Sequence, residues 1–178
     1  ADLPEVRPAQ LVELPDGGTL DLEADFVRRT IGGRTIPMLA FNGQQPGPLM
    51  RVREASTIFV NFTNNTPFPT AVHWHGLRLD NRFDGVPGVT QAVIQQGESF
   101  TYEVHVPDAG MFWYHPHVRE DVQQDLGLFG NLLVTMDMTG QQLYEVSCAA
   151  CGSSSSRSMT VCSRRAPMFS VVSFTRAA

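Results

Sequence analysis

Between Leu11 and Val134, apolar and polar residues alternate in short runs. A period of two is the signature of strands with one buried face, and no run holds the 3.6-residue period over the length of a helix. The segments predicted as strands are Thr19–Thr30, Thr35–Phe41, Thr57–Phe62, Ala71–Trp74, Ser99–Val106, Met111–His115 and Leu128–Val134. Turn-forming residues separate them: Asn42-Gly43, Pro46-Gly47-Pro48, Asn64 to Pro67, Asp84 to Gly88, and Pro107 to Gly110. Many short strands with regular turn signals predict an all-β sandwich or barrel. Ser99–Val106 has the clearest alternation. Phe100, Tyr102, Val104 and Val106 share one face, while Thr101, Glu103 and His105 share the other, so His105 is expected to be a solvated surface histidine.

The pattern stops near Thr135. Residues 1–135 are expected to form one domain and 136–178 an atypical tail, rich in Cys, Ala and Ser over Ser147–Ser158, with no strand pattern. A chain of 178 residues is enough for one domain, which buries roughly two-thirds of its unfolded surface without needing disulfides. Three cysteines (Cys148, Cys151, Cys162), all in the tail, make a poor disulfide framework. The net charge of −5 argues against nucleic acid or an anionic membrane surface as partner. All 13 basic residues are Arg. No apolar run is long enough to span a membrane. The start, Ala1-Asp2-Leu3-Pro4, carries no signal-peptide pattern and suits a processed chain.

Four of the five histidines fall in two pairs, His73-Trp74-His75 and His115-Pro116-His117, the second preceded by Phe112-Trp113-Tyr114. In a strand, residues i and i+2 face the same side, roughly 6.5–7 Å apart along the chain. Each pair thus presents two imidazoles on one surface, better spaced for neighbouring metals than for one. Two such strands side by side give a face of four imidazoles, a donor set that suits copper and zinc. Trp74 faces the opposite side, where it can pack.

These motifs resemble the first cupredoxin domain of multicopper oxidases, the group that includes laccases, ascorbate oxidase and bilirubin oxidases. The resemblance runs from about Leu39 to Val134. It rests on Asn42-Gly43, Pro46-Gly47-Pro48, His73-Trp74-His75-Gly76-Leu77, Asp84-Gly85-Val86-Pro87 with Thr90-Gln91, Gly110 through His117, and Gly127-Leu128-Phe129-Gly130, in the family's order and spacing. It implies a Greek-key β-sandwich or barrel of the cupredoxin (plastocyanin-like) type with an irregular C-terminal tail. It also implies copper ligands. His73 would hold the type-2 copper, His75 and His115 would share one copper of the type-3 pair, and His117 would hold the other. Asp84 matches an acid that assists proton delivery while dioxygen is reduced to water. Tyr114, Trp113 and Trp74 are expected to pack. The resemblance further implies export to the periplasm or outside the cell, and phenols, amines or metal ions as electron donors.

The family also uses a type-1 copper and four more histidines around a His-Cys-His tripeptide. This sequence has no His-Cys-His and no His after His117. Met136, Met138, Met159 and Met168 have no histidines near them. The chain is therefore expected to supply half of the trinuclear cluster, to need a C-terminal cupredoxin domain or second subunit, and to be inactive alone. The tail has two readings: a native segment without fixed structure, or the out-of-frame end of a longer gene. Two further readings of the histidines remain open. One is a stand-alone, non-catalytic copper-binding module. The other is a cupin-like mononuclear metal enzyme, with Asp80 as the acid after a His-x-His.

Overall fold

The computed structural model describes residues 2–150. The readings made on Cys151, Cys162, Met159, Met168 and the serine run lie outside them. Nine strands form two sheets: β1 (Leu11–Leu14), β2 (Thr19–Ile31), β3 (Arg34–Phe41), β4 (Leu49–Arg53), β5 (Ser56–Asn64), β6 (Val72–His75), β7 (Ser99–Val106), β8 (Gly110–Pro116) and β9 (Gly130–Thr135). One sheet has the order β1-β4-β9-β8-β6 and the other β3-β2-β5-β7. Both are mixed: β1, β4 and β9 run parallel, as do β2 and β5, and the remaining pairs are antiparallel. The chain crosses repeatedly between the sheets, and the expected β-sandwich results.

Alternation places the core. Along β5 every second residue is buried, and Ile58, Val60 and Phe62 point inward. Its antiparallel partner β7 does the same with Tyr102, Val104 and Val106, leaving Glu103 and His105 outside. Leu22, Phe41, Trp74 and Tyr114 complete the layer from both sheets. Burying an aliphatic or aromatic side chain of this kind stabilises by roughly 1.5–3 kcal/mol each, before the entropy of ordering it is counted.

The hydrophobic pattern alone does not resolve β1 or β4, short strands close to Pro15 and Pro48. Two helices also appear. A single turn, α1 (Glu120–Gln123), follows β8. A second, α2 (Gly140–Ala150), occupies the start of the segment in which the sequence suggested no element. Among its residues with described side chains, 140–146, none belongs to the hydrophobic core.

Candidate metal centre

The β6–β8 pairing sets His73 opposite His115 and His75 opposite Trp113. Because side chains alternate, His73, His75, Trp113 and His115 leave the sheet on one face, and Val72, Trp74 and Tyr114 enter the core on the other. Trp74 packs against Tyr102 and Tyr114 at 5.8 and 5.7 Å between ring centroids, as expected of it. His117 lies just beyond the end of β8 and joins the same group.

The rings lean together more than a flat strand repeat implies. Centroids are 5.6 Å apart for His73–His75, 5.5 Å for His73–His115 and for His75–His115, and 4.7 Å for His73–His117. Ring nitrogens of His73, His75 and His115 all lie within 4.8 Å of one another. Nδ1 of His75 and Nε2 of His115 are 3.3 Å apart. Two nitrogens stand at about that separation when each is about 2 Å from one ion. The imidazoles therefore fit a soft-to-borderline cation such as copper.

In His73 and His115 the second nitrogen is committed elsewhere, which fixes the tautomer. His73 Nδ1–H donates to the Asp84 carbonyl at 2.7 Å, and one Asp84 carboxylate oxygen lies 3.3 Å from the same nitrogen. His115 Nδ1–H donates to the Pro116 carbonyl at 2.8 Å. A carbonyl only accepts, so in both rings Nε2 carries the lone pair. His117 Nδ1 lies 3.2 Å from a Glu120 carboxylate oxygen. Burial, above all, pushes the His115 imidazole below its usual range, which keeps it neutral and able to ligate near pH 7.

The surroundings hold this arrangement. Trp113 stacks on His115 at 4.0 Å and 19°, and its ring is 4.9 Å from His75. The Val72 N–H donates to the buried Tyr102 hydroxyl at 2.9 Å, anchoring β6 one residue before His73. Gly85, at φ +73°, presses against the Val72 carbonyl, and a side chain there would overlap it. That close approach brings the Asp84 carbonyl onto His73.

The four paired histidines and Asp84 thus come together, and the fifth histidine does not. His105 sits on the outer face of the other sheet, with Nδ1 3.1 Å from Thr57 Oγ1. Asp80 is also elsewhere: it caps a 3-10 turn, Asn81–Phe83, and pairs with Arg82 at 2.8 Å. The acid required by the mononuclear-enzyme reading is thereby turned to another task. Sequence reading passed over Glu120 and Tyr102. The usable signal for Glu120 was its position three residues after His117, but only a helical turn makes that spacing close.

A family model described as multicopper oxidase matches residues 25–138. The chain is 43% identical over 118 residues to Multicopper oxidase MCE of Talaromyces pinophilus, covering 65% of this chain and 19% of that protein. It is 36% identical over 118 residues to Copper resistance protein A of Pseudomonas syringae pv. tomato, covering 66% and 19%. Among solved structures, a multi-copper oxidase from Pseudomonas thermotolerans superposes with a TM-score of 0.66 at 37% identity, covering 74% of this chain and 31% of that one. Lac15 from a marine microbial metagenome superposes at 0.63 with 44% identity, covering 68% and 33%. The chain spans about a fifth of the length of the curated relatives it matches.

Proposed function

The chain belongs to the multicopper oxidase family, and from that premise we propose that it is a copper-binding cupredoxin module supplying half the histidine ligands of a trinuclear cluster. The observation that carries this is the 3.3 Å approach of His75 Nδ1 to His115 Nε2, across two strands whose other imidazoles, His73 and His117, stand alongside. His73 would hold the type-2 copper, His75 and His115 would share one copper of the type-3 pair, and His117 would hold the other. Copper bound there would supply one-electron chemistry between a phenol, amine or metal-ion donor and dioxygen. Asp84 keeps His73 oriented through its carbonyl. Its carboxylate, 31% exposed, is positioned to pass protons from solvent toward the cluster. Trp113 stacks on His115, which is buried, and its ring also lies beside the exposed His75.

The remaining ligands would come from a C-terminal cupredoxin domain or a second subunit, and the likeness to the family supports export to the periplasm or outside the cell. No described helix is long and apolar enough to cross a membrane. A second reading, a non-catalytic copper-binding module, is favoured by ring nitrogens of His73, His75 and His115 lying within 4.8 Å of one another inside this one domain. Copper loading followed by metal analysis and paramagnetic resonance tests the first reading. About one or two coppers per chain with a type-2 spectrum are expected, lost in His73→Ala and His117→Ala. Intense blue colour in the purified chain would contradict an imidazole-only site. Adding the separately produced C-terminal domain should restore dioxygen consumption; continued copper binding without consumption selects the second reading.

A further inference from the structure

We propose that Glu120 is a positioning residue for His117: its carboxylate accepts the Nδ1 proton, so that Nε2 carries the lone pair presented to copper. The inference rests on the copper-binding reading of the four histidines.

The histidines differ in what holds their second nitrogen. His73 and His115 use backbone carbonyls, those of Asp84 and Pro116, at 2.7 and 2.8 Å. His117 lies past the end of β8, where the ladder no longer fixes its backbone. The Glu120 carboxylate stands 3.2 Å from its Nδ1. A carboxylate is a stronger acceptor than a carbonyl and makes the imidazole a better donor to a metal.

The local fold is built to deliver this carboxylate. Arg119 adopts a left-handed conformation, φ 44° and ψ 55°, which turns the chain back after Val118 and starts α1 at Glu120. The backbone N–H groups of Val122 and Gln123 donate to the Arg119 carbonyl. The buried Gln123 amide donates to the carbonyls of Pro69 and Val118, tying the turn to the rest of the domain. Arg119 pairs with Asp121 through two hydrogen bonds of 2.9 Å. That pair keeps the guanidinium away from Glu120, which is then free for His117.

Long-range proton–nitrogen spectra of the histidine rings in the metal-free, 178-residue chain test the proposal directly. The unsubstituted chain should show His117 as the Nδ1–H tautomer. Glu120→Ala should move it toward the Nε2–H form that free neutral imidazole prefers. Glu120→Gln, which keeps an acceptor oxygen, should retain Nδ1–H. The His73 and His115 tautomers, held by backbone carbonyls, should stay unchanged in both variants and report that the fold is intact. Glu120→Ala should also weaken copper binding by about tenfold or more, with Glu120→Gln between it and the unsubstituted chain. The proposal is overturned if His117 is the Nε2–H tautomer in the unsubstituted chain, or if Glu120→Ala leaves its spectrum unchanged. Tautomer changes as expected in a chain that takes up no copper would uphold the role of Glu120 and reject the copper reading.

Discussion

A Cβ placed on Gly85 would overlap the Val72 carbonyl oxygen, and the residue already sits at φ +73°. Gly85→Ala therefore adds backbone strain to a steric conflict that can be relieved only by moving the loop off β6. It should cost roughly 2–4 kcal/mol in urea unfolding and weaken copper binding, because the Asp84 carbonyl would leave His73. Tyr102→Phe is a milder intervention on the same strand. It removes the acceptor for the Val72 N–H and leaves that buried donor unpaired, a cost of about 1–3 kcal/mol. Its effect on copper should be smaller than that of Gly85→Ala, because the Asp84–His73 contact survives. Parallel urea titrations and copper titrations of the two variants check both expectations. Burial, above all, pushes the Tyr102 hydroxyl well above its usual range, so the anchor stays protonated near neutral pH.

At the scale of elements, β5 and the edge strand β7 each turn every second side chain into the core from the second sheet. Phe62→Ala should cost about 3–5 kcal/mol by opening a cavity between the sheets, as read from a denaturant midpoint. His105→Ala, on the outer face of the same sheet, should change stability by no more than about 0.5 kcal/mol and leave copper uptake unaltered. These two strands were legible in the sequence because strict alternation over eight or nine residues leaves one register that buries the apolar side. The paired histidines were legible for the same reason, since His-x-His in a strand fixes a common face whatever the pairing. β4 was less visible: Leu49–Arg53 is brief, and Arg51 and Arg53 are polar positions paired with Glu13 and Asp137 across strand edges. What sequence could not supply was everything set by chain reversal. The Asp84 carbonyl on His73, the Tyr102 hydroxyl on Val72 and the Glu120 carboxylate near His117 all depend on loops and turns whose paths no periodicity encodes.

Across the whole molecule, apolar residues concentrate between the two sheets while the imidazoles sit on the outer face of one of them, at its β6 edge. Core and metal face are therefore separable, with Trp74 and Tyr114 on one side of the sheet and His73, His75 and His115 on the other. The pairing of β6 with β8 has a kinetic consequence. His75 and His115 are 40 residues apart in sequence, and β7, which lies between them, belongs to the opposite sheet. Their meeting closes a long loop and requires the sandwich to be largely assembled, so it belongs late on the folding path. A cation that needs both imidazoles finds no site in the transition state. Copper at a hundredfold excess over its dissociation constant would add about 2.7 kcal/mol to the equilibrium stability. Nearly all of that should appear as slower unfolding, with the refolding limb of the chevron unmoved. The metal then acts as a latch that closes after the domain has formed and lengthens the lifetime of the folded chain without hastening its formation.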